Sequence, residues 1–155
     1  MLNFKSGCLA ILFTLFTLPA FCKNPPFPYI SPGLHLGYTF NQGLSWGGQV
    51  TLGVLLKEYL IPGVTFGYQQ SPVCKVIFTD FQASTVFLGV GFGSASVTNI
   101  SSGNQWKGYH FKTWAGFLGL VQYDYFAGNP DNFHTLSMHG VLPIMDYEGV
   151  YFWGP

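Results

Sequence analysis

Charge is what this chain has least of. Charged residues make up 8% of its 155 positions, six basic and six acidic, for a formal net charge of zero, and every basic residue is a lysine. An ordinary soluble domain carries roughly 25% charged residues, so little is available here to solvate a surface. A nucleic-acid binder needs a basic patch that displaces phosphate counterions, and six scattered lysines do not make one. Cysteine is also scarce, with three in the whole chain. What is plentiful is apolar and aromatic: 48% hydrophobic and 19% Phe, Trp and Tyr. That composition excludes a disordered chain, which is poor in aromatics and rich in charge.

The first residues read as a secretory signal peptide over 1–22. Lys5 supplies the positive start, Cys8–Leu18 the apolar stretch, and Pro19 breaks it. Ala20 and Cys22 are small residues at the −3 and −1 positions of a cut before Lys23. The apolar run is too short for an anchor helix, which needs about 20 residues. Cleavage removes Cys8 and Cys22 and leaves Cys74 as the single cysteine of the mature chain, so no intrachain disulfide is possible. Residues 23–32 hold Pro25, Pro26, Pro28 and Pro32 and read as an extended lead-in. Residues 33–155 read as one domain.

That domain alternates with period two, the signature of strands. Leu34, Leu36, Tyr38 and Phe40 alternate with Gly33, His35, Gly37 and Thr39. In Ser45–Lys57, Trp46, Val50, Leu52 and Val54 alternate with Gly47, Gln49, Thr51 and Gly53. Val64, Phe66 and Tyr68 oppose Thr65, Gly67 and Gln69 in Leu60–Gln69. Ser84–Val97 places Leu88, Val90 and Phe92 opposite Gly89, Gly91 and Gly93. In Trp106–Phe126 the parity blurs at Leu118 and Leu120, which points to a bulge or a hidden turn near Gly116. Cys74–Asp80, Phe133–Leu142 and Tyr147–Trp153 complete about eight strands. Turn chemistry at Gln42-Gly43, Ser101–Asn104 and Gly128–Asp131 makes the connections short. Consecutive strands joined by tight turns are antiparallel neighbours. The predicted fold is therefore all-β: an antiparallel up-and-down barrel of about eight strands behind a signal peptide.

The two faces decide what kind of barrel. One face is Gly, Thr, Ser, Gln and His, suited to a narrow interior where side chains from all strands converge. The other is Leu, Val, Phe, Tyr and Trp, and no helix is available to cover it. Within a bilayer only helices and closed barrels satisfy the backbone. This assigns Leu36, Tyr38, Val50, Leu52, Val54, Phe66, Tyr68, Leu88 and Val90 to a lipid-facing surface. It assigns His35, Gln49, Thr51, His110, Lys112, Gln122 and Asp124 to an interior polar network. Tyr38, Trp46, Tyr68, Trp106, Tyr123, Tyr125, Tyr151 and Trp153 suit the aromatic girdles of such barrels.

On segments such as His35-Leu36-Gly37-Tyr38-Thr39-Phe40 and Tyr151-Phe152-Trp153, the stretch from Gly33 to Trp153 resembles the small eight-stranded bacterial outer-membrane barrels as a class. The resemblance implies a lipid bilayer as partner, an outer-membrane location and delivery by the barrel-assembly machinery. An eight-stranded barrel is filled by its side chains, so a wide pore is not expected.

Chemistry has one candidate constellation. Ser137 and His139 share a face, and Glu148 could sit across a turn at Pro143–Asp146, which is the logic of an activated nucleophile. Outer-membrane lipid A deacylases place His, Ser and Glu on barrel strands as His-x-Ser; the order here is reversed. An interior hydrogen-bond network is the simpler account. His134 and His139, five apart, face opposite ways and do not share a metal. The Gly89–Gly93 run alternates as a strand with no helix after it, so it is not a phosphate loop. No cofactor and no metal are expected. The leading function is a non-enzymatic outer-membrane barrel with a structural or surface-interaction role. The alternatives are a secreted or periplasmic soluble barrel holding an apolar ligand inside and a lipid A hydrolase. Intact mass of the exported protein should show a chain that starts near Lys23; a full-length mass in the membrane fraction would overturn the signal peptide.

Overall fold

The computed structural model describes residues 27–56, 60–85, 87–116, 120–128, 132–141, 144–147 and 150–151. They form strands β1 (Phe27–Thr39), β2 (Gly43–Leu55), β3 (Ile61–Gln70), β4 (Cys74–Ser84), β5 (Leu88–Asn99), β6 (Gln105–Ala115), β7 (Leu120–Gly128), β8 (Phe133–Val141), β9 (Ile144–Tyr147) and β10 (Val150–Tyr151). Each of the first seven pairs antiparallel with the next, and β8 returns to β1. The sheet is therefore a closed eight-stranded up-and-down barrel. Strand β9 continues β8 without a change of register, since Gly33 faces Val141 and Ile30 faces Ile144 along the same strand.

The stagger can be followed through the ladder. Tyr29 faces Gly53, then come Gly63, Gln82, Gly91, Lys112, Asp124 and Thr135, and Thr135 faces Thr39. One circuit thus climbs from Tyr29 to Thr39 on the same strand. With a rise of about 3.3 Å per residue and a spacing of about 4.8 Å, the strands tilt about 40° and the backbone radius is roughly 8 Å. An interior that narrow holds side chains and little else.

Space is made by glycine. A Cβ on Gly67 would stand 2.1 Å from the ring of Phe78, and one on Gly91 would stand 2.7 Å from Cε of Lys112. Near the end carrying the β1–β2, β3–β4 and β5–β6 turns, the interior is an apolar plug of Cys74, Val76, Phe78, Ala95, Val97, Phe126 and Phe133, with Val73 and Trp106 packed against it. Polar side chains fill the middle.

Several boundaries differ from the sequence reading. Strand β1 begins at Phe27, inside the expected lead-in, and Pro28 and Pro32 face Val54 and Val50. Proline's fixed φ is compatible with extended backbone, and the cost is one ladder donor each. Ser84–Val97 is not one strand. Thr85 closes a turn there, its Oγ1 accepting from the backbone N–H of Phe87 (3.4 Å) and Leu88 (3.1 Å). That turn uses no Gly or Pro, so it left no ordinary signal. Trp106–Phe126 is two strands with a hidden turn after Ala115, where Gly116 takes a φ of 138° that favours glycine. The expected turn at Pro143–Asp146 and strand at Tyr147–Trp153 are replaced by β9, which seals the lower part of β1, and the two-residue return β10.

Gly67→Val should overpack the interior against Phe78 and lower stability by about 1–3 kcal/mol. Gly140→Ala, where a Cβ meets nothing within 4 Å, should stay within about 0.5 kcal/mol. Equilibrium chemical unfolding of the two variants checks the direction of every inward glycine.

Candidate functional site

The barrel interior is where this chain gathers its chemistry. Inward positions of β4, β6 and β7 bring Asp80, His110, Lys112, Gln122 and Asp124 together, each at most 1% exposed. Nδ1 of His110 lies 2.9 Å from both Asp80 carboxylate oxygens, and Nε2 lies 3.1 Å from Oδ1 of Asp124. Both ring nitrogens of His110 therefore face carboxylate oxygens. Lys112 Nζ reaches Asp80 at 3.3 Å and donates to Gln49 Oε1 at 3.4 Å. Two acidic side chains thus meet two basic ones, the matching of partners that a low-dielectric site demands.

Aromatic rings complete the enclosure. His110 lies between Phe126, stacked at 4.3 Å, and Phe78 at 4.5 Å. Lys112 Nζ lies 5.6 Å from the Phe78 centroid and 5.4 Å from that of Trp114, within cation–π range. Gln122 extends the network sideways. Its Nε2 donates to Asp124 at 2.8 and 3.0 Å, and its Oε1 accepts from His139 Nδ1 at 2.8 Å. Two uncharged networks lie beside it: Gln69 Nε2 donates to Thr39 and Thr135 (3.3 and 2.8 Å), and the Thr65 hydroxyl bonds that of Thr51 (2.9 Å) and donates to Gln82 Oε1 (2.5 Å).

His110, Lys112, Gln122 and Asp124 are in the charged cluster, Thr51 is in the hydroxyl network, and Gln49 is half-buried beside Lys112. His35 is buried, but no protein group lies within hydrogen-bonding distance of either ring nitrogen. Of the side chains read as lipid-facing, Leu36, Tyr38, Val50, Leu52, Phe66, Leu88 and Val90 are exposed, and Val54 and Tyr68 are half-buried. Tyr68 packs against Trp46 and donates to Gln70. Trp106 departs from the expected girdle, since its even parity turns it inward onto the apolar plug. Trp153 lies outside the described residues, and Tyr151 is described only in its backbone pairing.

Of the candidate triad, the two described members, Ser137 and His139, are not bonded to each other. Ser137 and His139 are 3% and 2% exposed inside the barrel, and Ser137 Oγ has no protein partner. His139 is bonded to Gln122, not to Ser137. Glu148 lies outside the described residues.

Asp80 is the residue that sequence reading missed. It follows Val76 and Phe78 on the same inward parity, and Ile77 and Phe81 face outward, so β4 has apolar side chains on both faces and no polar stripe to betray it. Counting parity from Phe78 would have found it. Among residues whose side chains are described, Lys75 and Lys107 are the outward-facing charges, both toward the end with the β3–β4 and β5–β6 turns. Among the described residues no helix is long and apolar enough to cross a membrane.

No protein-family model and no curated protein sequence matches the chain. Among solved structures it is similar to the crystal structure of the N-terminal β-barrel domain of Pseudomonas aeruginosa OprF, at 14% identity and a TM-score of 0.47, covering 76% of this chain and 98% of that one. It is also similar to the solution NMR structure of the de novo designed TMB2.3, at 11% identity and a TM-score of 0.40, covering 76% and 96%. The closed barrel itself is established by the chain's own strand register.

Asp80→Leu should leave Lys112 and His110 facing one carboxylate and lower stability by about 3–5 kcal/mol. The double variant Asp80→Leu/Lys112→Met should recover part of that loss, because it removes the orphaned cation as well. A double-mutant cycle by chemical unfolding reads the coupling; additive losses would mean that the two groups do not interact.

Proposed function

We propose that this chain is a small outer-membrane β-barrel with a structural or surface-interaction role and no wide pore. One observation carries the reading: the apolar belt is continuous. Every barrel strand presents a large exposed hydrophobic side chain, from Leu34, Leu52, Phe66 and Ile77 through Phe92, Phe111, Val121 and Met138. A soluble monomer rarely exposes an apolar patch beyond a few hundred Å²; a belt around the whole barrel needs a hydrocarbon solvent. On β1 the exposed side chains run from Ile30 to Phe40, about 25 Å of height at the strand tilt, which matches the apolar band of such barrels. Export across an inner membrane, docking by the barrel-assembly machinery and the bilayer as partner belong to the same proposal, supported by the signal-peptide reading.

The interior supports the second half of the proposal. A buried cluster of paired acidic and basic side chains beneath an apolar plug fills a barrel of roughly 8 Å radius, which leaves no channel for solutes. The soluble alternative would need its Leu, Val and Phe parity turned inward around an apolar ligand. Here Val50 and Leu52 are 42% and 46% exposed, and Thr51 is 3% exposed.

The protein should fractionate with outer membranes, resist extraction by salt and run as a compact species on a gel until boiled. Planar bilayers should show no large steady conductance. Val50→Arg should cost roughly 2–4 kcal/mol if it lies near the bilayer midplane, and it should impair assembly more than Thr51→Val. Full solubility of the wild type without detergent would overturn the proposal.

A further inference from the structure

The charged cluster leaves part of the interior unexplained. On the β8–β1–β2 side, His139 stands directly opposite His35 in the ladder, and Ser137 and Ser45 flank Gly37 two residues along. All four side chains are at least 96% buried. No protein group hydrogen-bonds either nitrogen of His35, Nε2 of His139, or the hydroxyls of Ser137 and Ser45. Buried polar atoms in such number ask for a partner, because each unpaired one carries a desolvation cost.

The geometry points to a two-histidine site for a late first-row transition-metal ion, copper, nickel or zinc, held between His35 and His139. Directly opposed residues on antiparallel strands have Cβ atoms about 4.5–5.5 Å apart, close enough to share one ion. The ring centroids are 6.1 Å apart and tilted at 53°. With metal–nitrogen bonds of about 2.0–2.1 Å, two imidazoles on one ion have centroids roughly 5–6.5 Å apart. The rings stand over glycines: His139 Nε2 where a Gly33 side chain would be, and His35 Nε2 where a Gly47 side chain would be.

The tautomer of His139 is set by its neighbours. Gln122 spends its amide N–H groups on Asp124, so its Oε1 faces His139 Nδ1 and accepts from it. The proton of the neutral ring then sits on Nδ1, and Nε2 carries a lone pair. A ligating histidine oriented through its other nitrogen is the usual outer-shell arrangement of metal sites, and loss of the orienting group costs 10–100-fold in affinity. Among the described residues no group of three or more His, Cys, Asp and Glu side chains is placed to hold an ion. The site is thus limited to two protein nitrogens, one from each histidine, and Ser137 and Ser45, two residues along the ladder, would supply hydroxyl oxygens or hydrogen-bond metal-bound water. Imidazole with few other ligands favours copper, nickel and zinc over calcium or magnesium. The site requires the barrel but not the membrane assignment.

The test uses untagged, detergent-folded full-length mature protein, metal-stripped and titrated with Cu2+ alone. The wild type should bind one equivalent with an electron paramagnetic resonance signature of two nitrogen ligands. His35→Ala and His139→Ala should each abolish that signal, and Gln122→Leu should weaken binding about 10–100-fold. His134→Ala, on the outer face, should leave it unchanged. His35→Ala removes a side chain with no protein hydrogen bond, so the result does not hinge on the folding of the His139 variant; gel mobility before boiling reports folding of each. Absence of a bound equivalent in the folded wild type, or a two-nitrogen signal that survives His35→Ala, overturns the proposal. Failure of the protein to enter membranes would instead overturn the outer-membrane reading and leave this one standing.

Discussion

The pairing of β8 with β1 is the constraint on which the rest depends. Seven register-aligned hydrogen bonding positions, from Gly33 with Val141 to Thr39 with Thr135, close the sheet, and β9 carries the closure down to Tyr29. Closure removes both sheet edges, and with them the unpaired N–H and C=O groups that no apolar surrounding could satisfy. It also fixes the stagger, and the stagger fixes the radius. Everything placed inside must fit that radius, which is why large inward residues such as Phe78 and Lys112 lie over glycines of the neighbouring strand.

A closed barrel of this size inverts the usual distribution of polarity. The middle of its buried volume is occupied by Asp80, His110, Lys112 and Asp124, while a belt of leucine, valine and phenylalanine side chains faces outward. Burying charge is tolerable only when partners are matched, and the matching here is complete: each carboxylate meets His110, and Lys112 meets Asp80. The apolar plug at the turn end and the ion cluster beneath it make the interior a core rather than a passage. The polar groups that this core leaves unpaired are concentrated on one side, around His35 and His139, and a site with ligand-binding capacity is therefore local even within so narrow a structure.

Much of this was legible in the chain because a strand's period is two. Alternation placed Leu36, Val50 and Leu52 on one face and Thr51, His110, Lys112, Gln122 and Asp124 on the other, and in the closed barrel the first three are exposed and the last five buried. Legibility failed where alternation carries no information. Asp80 sits in a strand apolar on both faces, Trp106 was grouped with aromatics of the opposite parity, and the turn at Thr85 is built by a threonine hydroxyl within a run of strand-forming residues. The chain from Ile144 was read as a turn, yet it pairs with β1, because its partner lies more than a hundred residues earlier.

By itself, then, the sequence determined the class of element, the number of strands to within a split, and the side of the sheet on which each residue falls, since these are local properties of extended backbone. Only the tertiary structure decided which inward residues meet. Lys112 finds Asp80 across β5, His110 bridges Asp80 and Asp124, and His35 faces His139 from opposite ends of the chain. The physical reason is that meeting depends on register and stagger summed around a closed ring, and a shift of two residues in any one pairing would keep every face assignment while exchanging every partner.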